Sequence, residues 1–243
     1  MKGVGIALGV FVLAYAASPW RWRGRWQLTG GVVAGALLVG IGRGLGFSWS
    51  DLGLTGGAFR PGSWSTDAGT LGFRLGHVAA GLLKCLVYAG LAAAGALIVS
   101  SLLLAARDLG RRGGGTSGSS WIPRYGLVEL LFATVVVEEL AFRGVILTAL
   151  TEPRVRLGGV LFSCVLFGLW HLRPRRGWTA DQWKRGARKV VPIAVLVFPL
   201  ALARLMTGSV VAPAAVHYSA DFIRKLVVER SKGKSVRGFL RSR

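Results

Sequence analysis

Six residues whose types could do chemistry fall into three short patterns: Glu138-Glu139-x-x-x-Arg143, Phe167-x-x-x-His171 and His217-x-x-x-Asp221. Each pattern lies within an apolar stretch of the chain. An ionisable side chain at the centre of a bilayer costs about 2.5–3.5 kcal/mol even on the gentler insertion scale, so function is the default reading of such a group. One buried His or Glu alone could equally serve as interhelical glue. Three patterns in order, on three apolar segments, favour a shared chemical site.

On a helix, Glu139 and Arg143 are one turn apart and share a face, which makes a carboxylate–guanidinium pair natural. Glu138 is rotated from Glu139 by about 100° and is left to face another partner. A carboxylate in an apolar cavity can act as a general base near neutral pH. One turn before His171, Phe167 could fix the orientation of the imidazole, and Asp221 is placed to accept from His217 or to stand beside it. Two chemistries fit this set. In one, Glu138, His171 and His217 ligate Zn²⁺ and the metal activates a water. In the other no metal takes part: Glu138 and His171 polarise the water, and His217 with position 221 stabilises the oxyanion. An ionised Asp221 cannot donate to an oxyanion, so in the second case it must be protonated or must act by orienting His217.

The elements that must position these residues are membrane helices. Hydrophobic residues make up 52% of the 243 and charged residues 17%, and the mean hydropathy is +0.52. That is too apolar for a soluble domain. Apolar runs at roughly 3–18, 27–47, 76–106, 125–150, 157–172, 190–207 and 209–228 predict an all-α, polytopic transmembrane helical bundle of about seven spans. Cys85 and Cys164 sit in apolar segments without metal spacing, which predicts packing roles.

The net charge of +21 would in isolation suggest a nucleic-acid binder, but its distribution follows the spans. Of the 31 Lys and Arg, 22 fall in residues 20–26, 107–124, 173–189 and the tail from Arg224, while five fall in the intervening segments. Short cytoplasmic loops collect Lys and Arg, so this alternation predicts a multi-pass protein of the cell membrane with its N-terminus outside and its C-terminus cytoplasmic. The expected partners are a bilayer with anionic headgroups and no nucleic acid. Lys2 followed by an apolar stretch and Ala14-Tyr15-Ala16 imitates a cleavable signal, but cleavage would invert the charge pattern, so residues 3–18 read as a retained span.

Residues 113–120 (Gly-Gly-Gly-Thr-Ser-Gly-Ser-Ser) read as a flexible linker. They separate N-terminal spans at 1–112 from a core at 121–228 that carries all three patterns, followed by a basic tail at 229–243. Asp51, Trp49, Trp64 and Asp67 place 48–75 in an external loop. Gly31/Gly35 and Gly42/Gly46 would allow close helix packing. The basic loop 173–189, with Trp178 and Trp183, suggests a short interfacial helix on anionic lipid. Lys84 and Arg204 read as snorkelling side chains and His77 as interfacial. Nothing in the neighbourhood of Arg43 supports a role in substrate contact.

At residues 121–228 the chain resembles the CPBP family, the CAAX-protease and bacteriocin-processing membrane proteins that include the type II CAAX prenyl endopeptidase. The resemblance rests on Glu138-Glu139-Leu140-Ala141-Phe142-Arg143, Phe167-Gly168-Leu169-Trp170-His171 and His217-Tyr218-Ser219-Ala220-Asp221. The approach Gly208–Val216 and Leu52-Gly53-Leu54 are similar to the family as well. The resemblance implies a helical intramembrane endopeptidase in which Glu138 activates water and His171 assists. It implies that His217 and residue 221 stabilise the oxyanion, with Glu139 and Arg143 in support. It favours a glutamate-type mechanism with no cofactor over a zinc-dependent one. Asp221 stands where the family commonly has Asn, which puts the oxyanion role of that position in question. The expected substrate is a membrane-associated peptide or protein. The rivals are a non-catalytic immunity or regulatory membrane protein of the same fold and an ion-coupled carrier, although the inverted repeat common in carriers is not visible.

Overall fold

The computed structural model describes residues 2–16, 26–60, 77–110, 135–151, 157–172 and 177–231. The expectations for the linker 113–120, the basic residues at 21–25 and 173–176, Trp64, Asp67 and the tail after Ser231 lie outside the described residues.

Seven helices and no strand occur among the described residues. They are α1 (Lys2–Ala16), α2 (Trp26–Gly44), α3 (His77–Gly110), α4, α5 (Leu157–Trp170), α6 (Ala180–Thr207) and α7 (Val211–Ser231). The helix α4 runs in three consecutive pieces: Val137–Glu139, a π-helical Leu140–Ile146, and Leu147–Thr151. Each helix falls within or across one of the seven apolar runs. By length and composition two segments can cross a bilayer, Val78–Ala96 and Ala180–Thr207. Gly3–Tyr15, Thr29–Gly44 and Leu157–Trp170 are apolar but shorter.

The separate interfacial helix expected in 173–189 is instead the first part of α6. Thr179 begins it with a capping box, its side chain accepting from the Gln182 amide while the Gln182 side chain accepts from the Thr179 amide. Two otherwise orphaned donors are thereby satisfied, so the chain enters the helix ten residues before the apolar run begins. Lys184, Arg185, Arg188 and Lys189 are exposed along this part. At the far end Gly208, with φ 64°, closes the helix in the left-handed conformation.

Several helices carry apolar outer faces where a water-soluble bundle would be polar, and four charged side chains are buried within the apolar core. Val78, Leu82, Val191, Val195 and Leu196 are exposed, whereas Glu138, Glu139, Arg143 and Arg204 are buried. Exposed apolar helix faces around an interior that holds a charged cluster suit a lipid surround. The main core joins α1, α2, α4, α5, α6 and α7 through residues such as Val10, Leu38, Val145, Phe167, Leu200 and Val216. Helix α4 is central: every residue from 137 to 149 is buried, with α1 and α2 against its π-helical piece and α5 alongside.

Of the glycines expected to pack closely in α2, Gly42 does so against the following loop, where a Cβ would lie 2.6 Å from the Leu52 side chain, and the tight helix-to-helix approaches lie elsewhere. A Cβ at Gly168 would lie 2.6 Å from the Val190 carbonyl oxygen, and one at Gly90 would lie 2.5 Å from the Val216 side chain. By contrast, Gly46 has open space around it and Gly35 meets only ordinary contact. Gly168→Ala is therefore expected to force α5 off α6 and to cost about 1–3 kcal/mol, as overpacking does, measurable as a lowered unfolding midpoint in detergent. Cys85, expected to pack, is exposed, while Cys164 is buried as expected.

The loop after α2 folds back over α4 and α6. The Asp51 carbonyl accepts from Thr148 Oγ1 at 2.6 Å and from Arg204 at 2.5 Å, and the Ser50 carbonyl accepts from Arg204 at 3.2 Å. Arg204 is thus a buried clamp on this loop rather than a snorkelling side chain. Gly53, at φ 71°, lets its carbonyl accept from the Val210 amide at 3.0 Å, and a Cβ there would run into Arg204. The Ser48 hydroxyl, and then the Ser48 amide, hold the Asp51 carboxyl below its ordinary value of 3.8.

Candidate active site

Helix α4 supplies two glutamates from adjacent positions. Glu138 is 7% exposed and Glu139 1%. Their different rotations about the helix give them different partners. Glu139 Oε1 accepts from Arg143 at 3.1 Å and pairs with His217 Nδ1 at 2.9 Å. A carboxylate only accepts, so Nδ1 carries the hydrogen. His217 Nε2 is then a lone pair in the neutral ring and a donor only in the imidazolium. The sequence pattern paired Glu139 with Arg143 alone; in the structure Glu139 also fixes the orientation of His217.

Glu138 faces α5 and α7. Its Oε1 accepts from Trp170 Nε1 at 3.1 Å. Its Oε2 is buried with no hydrogen-bond partner and lies 3.8 Å from His217 Nε2. Asp221 Oδ2 is 4.0 Å from that same nitrogen, so Asp221 stands beside the ring without the hydrogen bond considered for it, and its other oxygen pairs with Arg224 at 3.2 Å.

His171 joins the group through aromatic packing. Its ring centroid is 4.8 Å from that of Phe167, and Nδ1 lies 3.0 Å from the Phe167 carbonyl, the acceptor that fixes the hydrogen on Nδ1 and leaves Nε2 for other work. Phe167 also meets the His217 ring at 5.9 Å and carries the Arg143 guanidinium over its face at 4.3 Å. Phe167 therefore does more than orient His171: it is the apolar wall that His171, His217 and Arg143 share. Among the described residues no hydrogen bond or ion pair links His171 to either glutamate.

Among the described residues no group of three His, Cys, Asp or Glu side chains is placed to hold a metal ion. His171 and His217 each hold a hydrogen bond at Nδ1 and leave Nε2 open, and Glu138 Oε2 has no partner; an outer-shell bond of this kind is made by metal-bound and metal-free histidines alike.

A cavity of about 420 Å³ adjoins the cluster between α3, α4, α7 and the loop after α2. Leu54, Phe59, Leu91, Val136 and Ala214 are among its lining, and Glu139 is the ionisable side chain that reaches it. Glu139 Oε2 is buried and has no hydrogen-bond partner. Helix α3 and the loop after α2 thus wall a space that borders the site carried by the C-terminal helices.

The sequence patterns missed Trp170 and Tyr15. Trp170 Nε1–H donates to Glu138, its ring meets Phe142 at 5.5 Å and Tyr15 at 5.9 Å, and the Tyr15 hydroxyl donates to the Leu172 carbonyl at 2.8 Å. A signal was present: an indole in an apolar run must find an acceptor, and Trp170 lies one helical turn beyond Phe167.

Residues 120–223, under half of the chain, match the family model described as Type II CAAX prenyl endopeptidase Rce1-like. No curated protein and no solved structure matches the chain. The matched segment contains all six ionisable residues of the three patterns, and Rce1-like proteins are a family of membrane proteases. Over residues 120–223 this chain is similar to the Rce1-like type II CAAX prenyl endopeptidases.

Proposed function

We propose that this chain is an intramembrane endopeptidase that cleaves a peptide bond in a membrane-associated peptide or protein without a metal. The reading is carried by Glu138: a buried carboxylate with one oxygen anchored and the other unpartnered, 3.8 Å from His217 Nε2. A water about 2.8 Å from each atom would span that gap. Glu138 takes a proton from this water as its oxygen attacks the scissile carbonyl, and His171 assists through Nε2. The imidazolium of His217 donates from Nε2 to the developing oxyanion, and the proton held on Glu138 passes to the leaving amine. Glu139 and Arg143 orient His217. Asp221 acts through its charge beside His217 rather than as a donor.

The apolar cavity beside Glu139 receives the apolar flank of the substrate. The protein is multi-pass with a cytoplasmic C-terminus, and its basic segments face anionic headgroups rather than nucleic acid; the alternation of Lys and Arg along the chain supports this arrangement.

Membrane-peptide fragments from cells carrying the wild type and from cells carrying Glu138→Ala test the reading and identify the substrate together. Fragments that vanish in the variant support the peptidase. Identical fragments with an intact cellular effect would make the protein a non-catalytic immunity or regulatory partner. Chelator-washed wild type is expected to retain its activity without stoichiometric zinc; activity restored only by added Zn²⁺ would overturn the metal-free mechanism.

A further inference from the structure

We infer that Trp170 is a positioning residue that holds Glu138 away from His217 and so keeps open the gap in which water is activated; the inference rests on the peptidase reading above. The observation is an asymmetry between the two oxygens of one carboxylate. Glu138 Oε1 accepts the indole N–H at 3.1 Å, while Oε2 stops 3.8 Å from His217 Nε2, outside hydrogen-bond range. Nothing else among the described residues bonds either oxygen. A carboxylate beside the imidazolium of His217, whose Nε2 carries a hydrogen, gains in an apolar surround by closing to a direct hydrogen bond. Here the charge-assisted bond from Trp170 holds it back.

The anchor is itself fixed on two sides. Trp170 is buried, with Phe142 packed edge-on at 76° and Tyr15 at 82°. Tyr15 is in turn tied by its hydroxyl to the carbonyl of Leu172, two residues beyond Trp170. The indole therefore has little freedom to follow Glu138 toward His217. Because α1 supplies Tyr15, and Phe11 against Phe142, the N-terminal helix reaches the chemistry through these rings and the Tyr15 hydroxyl. Without the N–H at position 170, Glu138 closes onto His217 and both groups are withdrawn from the water.

The test separates the donor from the bulk of the ring. Trp170→Phe removes the N–H with part of the ring. A benzothienylalanine introduced at position 170 replaces N–H by sulfur and keeps the bicyclic shape. Two readouts are taken in detergent-solubilised full-length protein: kcat and KM for the cleaved peptide, and the infrared carboxylate bands of Glu138, identified as those lost in Glu138→Gln. Both 170 variants are expected to lower kcat about tenfold with KM changed less than twofold, and both are expected to shift the Glu138 bands. The benzothienyl form shows the loss even where the Phe variant folds poorly. Unchanged kcat in the benzothienyl form, with or without a band shift, overturns the positioning role. An active Glu138→Gln enzyme instead sinks the peptidase mechanism itself, and a band shift at position 170 would then report a contact with no catalytic consequence.

Discussion

Glu138→Gln is expected to lower kcat by about 10³-fold, within the range that a positioned general base contributes, while leaving the protein folded. The substitution suits the geometry. Glutamine has the shape of the carboxylate, and its carbonyl oxygen can still accept from Trp170, so the local packing survives and the basic oxygen alone is lost. Substrate binding should change little, because Glu138 acts on the water rather than on the peptide. The measurement is peptide cleavage by purified protein in detergent or bilayer nanodiscs, with the unfolding midpoint as the control for structure. A decrease of less than tenfold in well-folded protein would remove Glu138 from the role of base.

The second large effect falls on stability. Arg143 is 2% exposed, pairs with Glu139 at 3.1 Å and stacks on Phe167 at 4.3 Å. Arg143→Met keeps much of the apolar contact but leaves the Glu139 carboxylate buried with only His217 as its counter-group. Breaking a buried pair from one side costs about 3–5 kcal/mol, so a large drop in the unfolding midpoint is expected, together with loss of activity. Adding Glu139→Gln should recover part of the stability, because the uncompensated charge is gone while the amide oxygen can still accept from His217 Nδ1. Strict additivity of the two substitutions would show that the ion pair is not what holds this part of the core. Activity is not expected to return in the double variant, since the fixed orientation of His217 depends on the charged acceptor.

Much of this site was legible from spacing. Glu139 and Arg143 meet because residues four apart share a helical face, and Glu138 turns elsewhere for the same reason. Apolar run lengths located the helices because a buried helix needs a continuous apolar sequence whatever it packs against. Partners distant in sequence were harder to read. Arg204 looked like a charge seeking the interface, but it donates to the Ser50 and Asp51 carbonyls, and backbone acceptors leave no mark in a side-chain pattern. The start of α6 was legible and passed over: Thr179-x-x-Gln182 has the form of a capping box, yet the run of Lys and Arg after it reads as a loop when charge alone is weighed. Trp170 has the same lesson on a smaller scale, since a wholly apolar segment draws the eye to its ionisable residues and away from the neutral donor beside them.

The seven-residue wide turn at Leu140–Ile146 divides α4 into two functional registers. Upstream, Glu138 and Glu139 are aimed at His217; downstream, Thr148 is aimed at the Asp51 carbonyl of the covering loop. Rewinding the same seven residues as ordinary α-helix would swing everything beyond them by about 100°, the angle of the one residue that the wider winding absorbs. The acids would keep their bearings while Thr148 lost the loop, so the widened winding acts as a joint that lets one rod serve two facings at once.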